Sequence, residues 1–209
     1  MTSSVSQQNP HQAAVNFLAS LDADWAQLIA SVGACNFKPK PAREPYEALI
    51  RAIAYQQLHT KAGDAIIGRL VNGFDNQFPT PQQLLDLDFD VLRACGFSAR
   101  KIDTIHHIAS ATLSGVVPNS KEAKCLSDDQ LIARLISLKG IGRWTVEMLL
   151  MFTLDRPDIL PADDFAIRGG YQRLKKCSTA PKPKEMALLG KDWSPYRTIA
   201  SWYLWRVPK

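Results

Sequence analysis

The sequence contains no apolar run long enough to cross a membrane and no recognisable export signal. No uninterrupted apolar stretch approaches the ~18 residues that a transmembrane helix needs. The first residues, MTSSVSQQNPHQAA, lack both the basic region and the apolar region of a secretory signal. We therefore expect a cytoplasmic protein with no membrane partner.

Cysteine is scarce and widely spaced. The four cysteines are Cys35, Cys95, Cys125 and Cys177, and no two of them form a C-x-x-C pair. A structural zinc or an iron–sulfur cluster needs closely spaced ligands, so the sequence predicts no metal site and no iron–sulfur cluster. A disulfide framework is not expected either, because a chain of 209 residues can bury a core of its own.

Alternating runs of β-branched residues are also missing, whereas helical spacing of apolar residues recurs along the chain. The predicted helical segments share apolar positions three and four residues apart: Val15–Ile29, Tyr46–Leu58, Ala62–Phe74, Lys101–Leu113, Leu126–Leu138, Trp144–Leu154 and Tyr196–Val207. Capping-box patterns at Thr80–Gln83 and Ser127–Gln130 mark two helix starts, and Ser194-Pro195 is expected to open the last helix. The sequence therefore predicts an all-α fold.

The basic charge is concentrated in the last third of the chain. Residues 134–209 contain 14 lysine or arginine residues against 7 acidic ones, whereas residues 1–133 contain 11 against 13. A basic part on a nearly neutral body favours a polyanionic partner such as nucleic acid. A basic surface exposed to solvent without such a partner is the alternative.

Two glycines spaced G-x-G interrupt the helical pattern in the stretch LKGIGRWTVEML, Leu138–Leu149. We expect a turn of about four residues between two helices, in which Gly140 and Gly142 permit positive φ and Ile141 packs between the helices. The exposed backbone N–H groups at the start of the second helix would then seat a phosphate without reading base sequence. A plain corner between two helices is the alternative.

This stretch resembles the helix-hairpin-helix DNA-binding motif, which we place at 127–154. The resemblance implies that double-stranded DNA is the partner and that the hairpin contacts its phosphates. The residues to which it assigns this contact are Lys139, Gly140, Ile141, Gly142, Arg143 and Thr145. Carbonyl groups of the same turn could hold a monovalent cation bridging to the phosphate.

An acidic pair, Asp163-Asp164, stands about twenty residues further on, before an apolar helix start. Aspartate is among the best helix N-caps, so capping is one interpretation. A carboxylate close to a phosphate-binding hairpin repels DNA, however, and is more useful if it acts on a cationic species. The pair therefore also suggests a catalytic carboxylate.

The hairpin followed by this aspartate resembles the helix-hairpin-helix DNA glycosylase superfamily, and within it the 3-methyladenine DNA glycosylase II branch. The resemblance covers about Tyr46 to Arg206 and includes G-I-G-x-W-T and P-x-D-D. It implies that Asp164 is the catalytic residue, stabilising the oxocarbenium-like sugar and orienting or activating water, with Asp163 as its neighbour and cap. The nucleophilic lysine of the superfamily's lyases is replaced by Trp144, which implies a monofunctional enzyme.

The resemblance also implies an aromatic pocket, since alkylated purines are electron-poor and stack on electron-rich rings. Trp144 and Trp205 match its aromatic positions, Tyr55 could line it, and Met148 stands where the family often has tyrosine. For any single tryptophan, packing in the core is the alternative interpretation. The base preference of the pocket is left open by Met148.

The segment Arg51–Thr60 resembles the part of the family that fills the hole left by a flipped base. Gln57 is the first candidate for this wedge and Leu58 the second, with an ordinary helix end as the alternative. A further family-like turn ends at Lys101, which either packs or contacts phosphate.

We therefore expect a two-lobed helical bundle with a cleft between the lobes, on which Gln57, Trp144, Asp164 and Trp205 converge. One lobe would comprise 1–45 plus 155–209 and the other 46–154, without the N-terminal β domain of larger bacterial members. The expected function is a monomeric glycosylase that releases alkylated purines, chiefly 3-methyladenine, without a cofactor. A sister glycosylase for deaminated or oxidised bases, or a non-catalytic DNA-binding protein, is the alternative.

Overall fold

The computed structural model describes residues 10–208, and over that range helices are the only regular secondary structure, which confirms the predicted all-α class. The α-helices of the described residues are α1 Gln12–Leu21, α2 Ala23–Val32, α3 Pro45–Tyr55, α4 Thr60–Asn72, α5 Pro81–Leu85, α6 Phe89–Cys95, α7 Ala99–Leu113, α8 Ser120–Cys125, α9 Asp128–Ile136, α10 Arg143–Phe152, α11 Phe165–Leu174, α12 Pro183–Leu189 and α13 Arg197–Leu204. A 3-10 helix, Gly190–Trp193, follows α12. Within residues 10–208, no helix combines the length and apolarity of a membrane span.

The chain forms two compact units. The middle unit is Pro39–Asp155, and the terminal unit combines the chain up to Lys38 with the chain from Arg156 onward. The sequence placed these boundaries at 45/46 and 154/155. The segment before α3 belongs with the middle unit because Lys40 N–H donates to the Phe152 carbonyl at 2.6 Å.

The middle unit is built around α3, which packs against α4, α7 and α10. Its apolar positions are fully buried, among them Leu49, Ile50 and Ile53. Helix α3 is therefore covered on several sides by other helices and forms the centre of this unit. The C-terminal end of α3 leads into the segment that contains Gln57 and Leu58, the two candidates for the wedge.

The terminal unit packs α1 against α2, and α11 against α13. The rings of Trp25 and Trp193 meet edge to face with centroids 5.2 Å apart, a favoured geometry for buried aromatic pairs. Lys175, at the end of α11, donates to Asp22 at 2.6 Å and to Asp24 at 2.9 Å. These contacts join the two ends of the chain into one unit.

Several predicted helix boundaries were wrong for identifiable local reasons. The segment Val15–Ile29 is two helices, because Asp22 adopts an extended conformation and caps α2 by accepting from Trp25 N–H. The segment starting at Tyr46 ends at Tyr55 rather than Leu58, since Gln57 has φ +57°. The last helix begins at Arg197 and not at Ser194-Pro195.

The capping boxes predicted at Thr80 and Ser127 are both present, each with reciprocal hydrogen bonds to the third helical residue. The short helices α6, α8 and α12 were not predicted. Each has seven residues or fewer, so the apolar pattern completes two turns at most.

Candidate functional site

The turn between α9 and α10 has the predicted hairpin form, with six residues, 137–142, where the sequence suggested about four. Gly140 has φ +88°, and a Cβ at this position would overlap the hydroxyl of Thr104 on α7. Ile141 is only 5 % exposed, as expected for a residue packed between the two helices. Glycine at 140 is therefore required by both the backbone conformation and the close approach of α7.

Gly142 does not use the positive φ that glycine permits. It precedes α10 with φ −93°, which any residue can adopt, and a Cβ here would meet nothing within 4 Å. The backbone N–H groups of Gly142 and Arg143 donate to no acceptor among the described residues. The open space and these two donors fit a phosphate approaching the start of a helix.

The side chains of the hairpin divide into an exposed and a buried group. Arg143 is 64 % exposed and donates through Nε to Glu147 Oε1 at 2.9 Å, while Lys139 is exposed. Thr145 is 1 % exposed and its hydroxyl accepts a hydrogen bond from Gln56, so it supports the turn from inside. Buried Ile141 also donates its N–H to Leu138 rather than outward. The phosphate contact assigned to the buried pair Ile141 and Thr145 is therefore not available to their side chains.

Asp164 is the N-cap of α11, and its Oδ1 accepts a hydrogen bond from Ile167 N–H at 2.9 Å. Capping by Asp163, the other possibility that the sequence offered, is not observed, because Asp163 is exposed and lies two positions before the first helical residue, Phe165. The same Oδ1 accepts from the indole Nε1 of Trp205 at 3.2 Å. One carboxylate is therefore oriented by the backbone of one helix and the side chain at the end of another.

This arrangement depends on the close approach of α11 and α13. A Cβ at Gly170 in α11 would overlap the carbonyl oxygen of Leu204 in α13, so glycine is needed where the helices cross. Trp205 follows directly as the C-cap of α13 and is half-buried. The crossing at Gly170 thus brings the Trp205 indole to Asp164.

The N-terminal side of α13 is fixed by an ion pair with the loop that leads to Asp164. Asp158 accepts from the Arg197 guanidinium at 2.7 and 2.9 Å and from the Ser194 hydroxyl at 2.8 Å. Burial opposes ionisation of Asp158, but these hydrogen bonds outweigh it and hold the pKa of its carboxyl below the ordinary 3.8. This pair was not predicted from the sequence, in which its members are 39 residues apart.

The candidate pocket residues of the middle unit lie on α10 and at the end of α3. Trp144 and Met148 are half-buried and one turn apart on α10. Tyr55 donates its hydroxyl to Asp64 at 2.5 Å, and burial together with this bond raises the pKa of Tyr55 to about 12. The Tyr55 hydroxyl is thus held by α4, which leaves its ring as the part suited to lining a pocket.

Between α3 and α4 lies a turn of four residues, Gln56–His59, which we call the wedge turn. Gln57 adopts a left-handed conformation, φ +57°, that is uncommon for residues other than glycine, and it is exposed. Leu58 is 43 % exposed. Lys101 donates to the carbonyls of Ala54 and Gln56 at 3.0 Å each, so of its two predicted roles the structure shows the packing one.

Gln57 and Trp144 belong to the middle unit, and Asp164 and Trp205 to the terminal unit. The convergence of all four stays a prediction, whereas the contact between Asp164 and Trp205 is observed. One further candidate was missed: Phe165, next to Asp164, is 82 % exposed. Its sequence signal was a large apolar residue at the first position of a helix, where it cannot reach the core.

A helical bundle with a helix-hairpin-helix and an aspartate that caps the next helix defines a class of DNA-binding protein, and comparison with known proteins gives the family. Residues 50–195 match the family model described as HhH-GPD superfamily base excision DNA repair protein. The chain belongs to this superfamily.

Two relatives come from Schizosaccharomyces pombe. DNA-3-methyladenine glycosylase 1 is 50 % identical over 196 residues, covering 92 % of this chain and 85 % of its own. The alkylbase DNA glycosidase-like protein mag2 is 39 % identical, covering 98 % of this chain and 97 % of its own. Both relatives thus align with nearly the whole of this chain.

The fold matches a solved structure of 3-methyladenine DNA glycosylase from the same yeast in complex with abasic DNA. The TM-score is 0.88 at 48 % identity, over 93 % of this chain and 95 % of that one. The predicted fold and family are thus confirmed.

Proposed function

We propose that this protein is a monofunctional DNA glycosylase that hydrolyses the N-glycosidic bond of alkylated purines in double-stranded DNA, chiefly 3-methyladenine. The product is an abasic site that enters base excision repair. The relatives named above support the substrate class, and the observation that carries the mechanism is the carboxylate of Asp164, held by both Ile167 N–H and Trp205.

The reaction needs one carboxylate and one water. As the bond between C1′ and the purine nitrogen breaks, its electron pair leaves with the base, and positive charge develops on the sugar. The Asp164 carboxylate stabilises this oxocarbenium-like sugar electrostatically. Water then forms the new C1′–O bond, and Asp164 orients it and accepts its proton. Alkylation has already made the base a good leaving group, so no strong general acid is required.

We propose that Trp144, Trp205, Tyr55 and Met148 receive the flipped base, and that Gln57 or Leu58 fills the space that it leaves. Electron-rich rings attract a cationic purine and discriminate against a neutral one. The joint action of these residues rests on the family resemblance. The exposure of Gln57 and Leu58 in the wedge turn supports their part in it.

Trp144 carries a further implication, because the superfamily's lyases have a nucleophilic lysine at this place. Without an amine there, no Schiff base forms with the sugar, and water is the only nucleophile. Incubation of the protein with damaged DNA and borohydride should trap no covalent complex. A trapped complex would contradict the monofunctional assignment.

We propose that the reaction requires no cofactor, since a carboxylate and water suffice for a bond already weakened by alkylation. Carbonyl groups of the hairpin are proposed to hold a monovalent cation that bridges to a DNA phosphate. Equal activity with and without a chelator of divalent metals, and tighter DNA binding in potassium than in tetramethylammonium at equal ionic strength, would support both statements.

The decisive experiment is a base-release profile. Wild type and Asp164→Asn are incubated with methylated DNA and with duplexes containing uracil or 8-oxoguanine, and released bases are separated chromatographically. We expect wild type to release 3-methyladenine and Asp164→Asn to release it at least ~100-fold more slowly. Release of uracil or 8-oxoguanine instead would identify a sister activity, and binding without any release would identify a non-catalytic protein.

The monomeric state and the cytoplasmic compartment also remain proposals. Sedimentation of the protein with and without DNA would test the first, and imaging of the tagged protein in its own cell would test the second.

A further inference from the structure

The wedge turn begins where α3 ends, at a point where backbone carbonyls have no partner within the helix. Two of these carbonyls, those of Ala54 and Gln56, accept hydrogen bonds from the same amine, Lys101 Nζ, at 3.0 Å each. Lys101 comes from a different helix, α7, 45 residues further along the chain from Gln56. One side chain thus closes the helix end that leads into the turn.

The amine of Lys101 occupies an environment that lysine ordinarily avoids. The residue is half-buried, and burial lowers the pKa of Lys101 below its ordinary 10.5. Lysines that serve solubility or contact phosphate extend into solvent, whereas this one is directed at two carbonyls of its own unit. The two hydrogen bonds offset the partial loss of hydration of the amine and hold it at the end of α3.

A second side chain ties the turn from another direction. Gln56 donates through Nε2 to the hydroxyl of Thr145 on α10 at 3.0 Å, and Thr145 is 1 % exposed. The turn is therefore fixed to α7 through Lys101 and to α10 through Gln56. Gln57 follows directly after Gln56, the residue on which both ties meet, and it has φ +57° and is exposed.

A wedge has to resist the stacked base pair that it displaces, because unstacking a base costs free energy. A turn free to change conformation would yield instead of transmitting this force. Side chains that fix a functional residue from behind are how proteins keep such geometry.

We propose that Lys101 is a positioning residue for base flipping, which holds the wedge turn in the conformation that presents Gln57 and Leu58 to DNA. Lys101 does not touch the substrate in this role. The inference rests on the proposed function, since it concerns the step that delivers the base to Asp164.

The test compares single-turnover base release from two duplexes. In one the 3-methyladenine faces thymine, and in the other it faces an abasic-site analogue, where it is unpaired and flips more easily. We expect Lys101→Met to slow release from the paired site by about tenfold or more, and from the unpaired site by less than about threefold. Gln56→Leu, which removes the second tie, should show the same inequality.

Controls separate positioning from general damage to the fold. Lys121→Met removes an exposed lysine of the same unit and should leave both rates unchanged. Lys101→Arg, which retains donors for the two carbonyls, should recover part of the paired-site rate. A 2-aminopurine next to the lesion should show a smaller fluorescence rise with Lys101→Met than with wild type.

An equal fall on both duplexes would assign Lys101 a purely structural role and overturn the inference, as would an unchanged rate on the paired duplex. Wild type that releases no base from either duplex would instead contradict the proposed function. The two failures are thus distinguishable.

Discussion

The carboxylate of Asp164 accepts hydrogen bonds from the backbone of α11 and from the Trp205 indole, so a substitution at this position changes both helix capping and the candidate catalytic group. The two interpretations that the sequence left open, cap and catalyst, are therefore compatible. They can be separated because asparagine is about as good an N-cap as aspartate, whereas it carries no charge.

We predict that Asp164→Asn retains nearly all of the wild-type stability, while Asp164→Ala lowers the free energy of unfolding by about 1 kcal/mol through the lost cap. Both variants should lose base release to a similar extent, because neither has a carboxylate. Denaturant unfolding and single-turnover release, measured on the same preparations, check this. Loss of activity only in the alanine variant would show that the cap, and not the charge, is what the reaction requires.

The two glycines of the hairpin element differ in backbone conformation and in what surrounds them. Glycine permits positive φ at both positions, but only Gly140 adopts it. Gly142 has an extended conformation with open space beside it. Spacing along the chain indicates a turn, whereas which glycine faces a neighbouring helix and which faces solvent depends on the position of α7.

We predict opposite phenotypes for alanine at these two glycines. Gly140→Ala should lower the free energy of unfolding by about 2 kcal/mol or more, since it combines a left-handed backbone with overlap on Thr104. Gly142→Ala should lower it by ~1 kcal/mol at most, through a poorer N-cap, yet weaken DNA binding because a methyl group enters the space for the phosphate. Thermal unfolding and fluorescence anisotropy with duplex DNA measure the two effects; normal DNA affinity for Gly142→Ala would exclude the proposed phosphate seat.

The loop before Asp164 is joined to α13 by the ion pair of Asp158 and Arg197, which gives this element a pH dependence with a definite sign. The pKa of Asp158 is lower in the folded protein than its ordinary 3.8, so the pair stabilises the fold at higher pH. This stabilisation is fully present above the pKa that Asp158 has in the unfolded chain. It is lost as the pH falls through the lower pKa that Asp158 has in the folded protein.

We predict that Asp158→Asn is less stable than wild type by about 2 kcal/mol at neutral pH and that the difference narrows as the pH drops below about 4. The difference in unfolding free energy between wild type and variant cancels the contributions of other acid-sensitive groups. One of these is Asp22: burial raises the pKa of its carboxyl, but the hydrogen bonds from Lys175 and from the backbone lower it by more. Thermal unfolding over a pH series checks the difference. A gap that is constant across the series would show that the pair contributes no proton-linked stability.

For the whole molecule, local patterns predicted more of the fold than of the site. Most of the amphipathic helices, both capping boxes and the hairpin follow from residues close together in sequence, and the structure confirms them, whereas Val15–Ile29 is two helices and not one. Contacts such as Trp205 with Asp164 or Lys101 with Ala54 join residues 41 and 47 positions apart. These contacts depend on how the helices cross, and a single sequence contains no signal for helix crossing. Trp205 was named as a site residue only because of the family resemblance.

The uneven charge of the molecule leads to a last prediction. The excess of lysine and arginine over acidic residues lies in residues 134–209, and it includes Lys139 and Arg143 on the exposed side of the hairpin. Each phosphate that the protein neutralises contributes about −0.9 to the slope of log affinity against log salt concentration. Three such contacts would weaken binding roughly sixfold between 0.1 and 0.2 M salt.

We predict that Lys139→Ala and Arg143→Ala each reduce the magnitude of this slope by about 1, while Lys121→Ala, exposed on α8, leaves it unchanged. Anisotropy titrations at four salt concentrations measure the slopes, and equal slopes for all three variants would mean that the hairpin does not contact phosphate through these side chains.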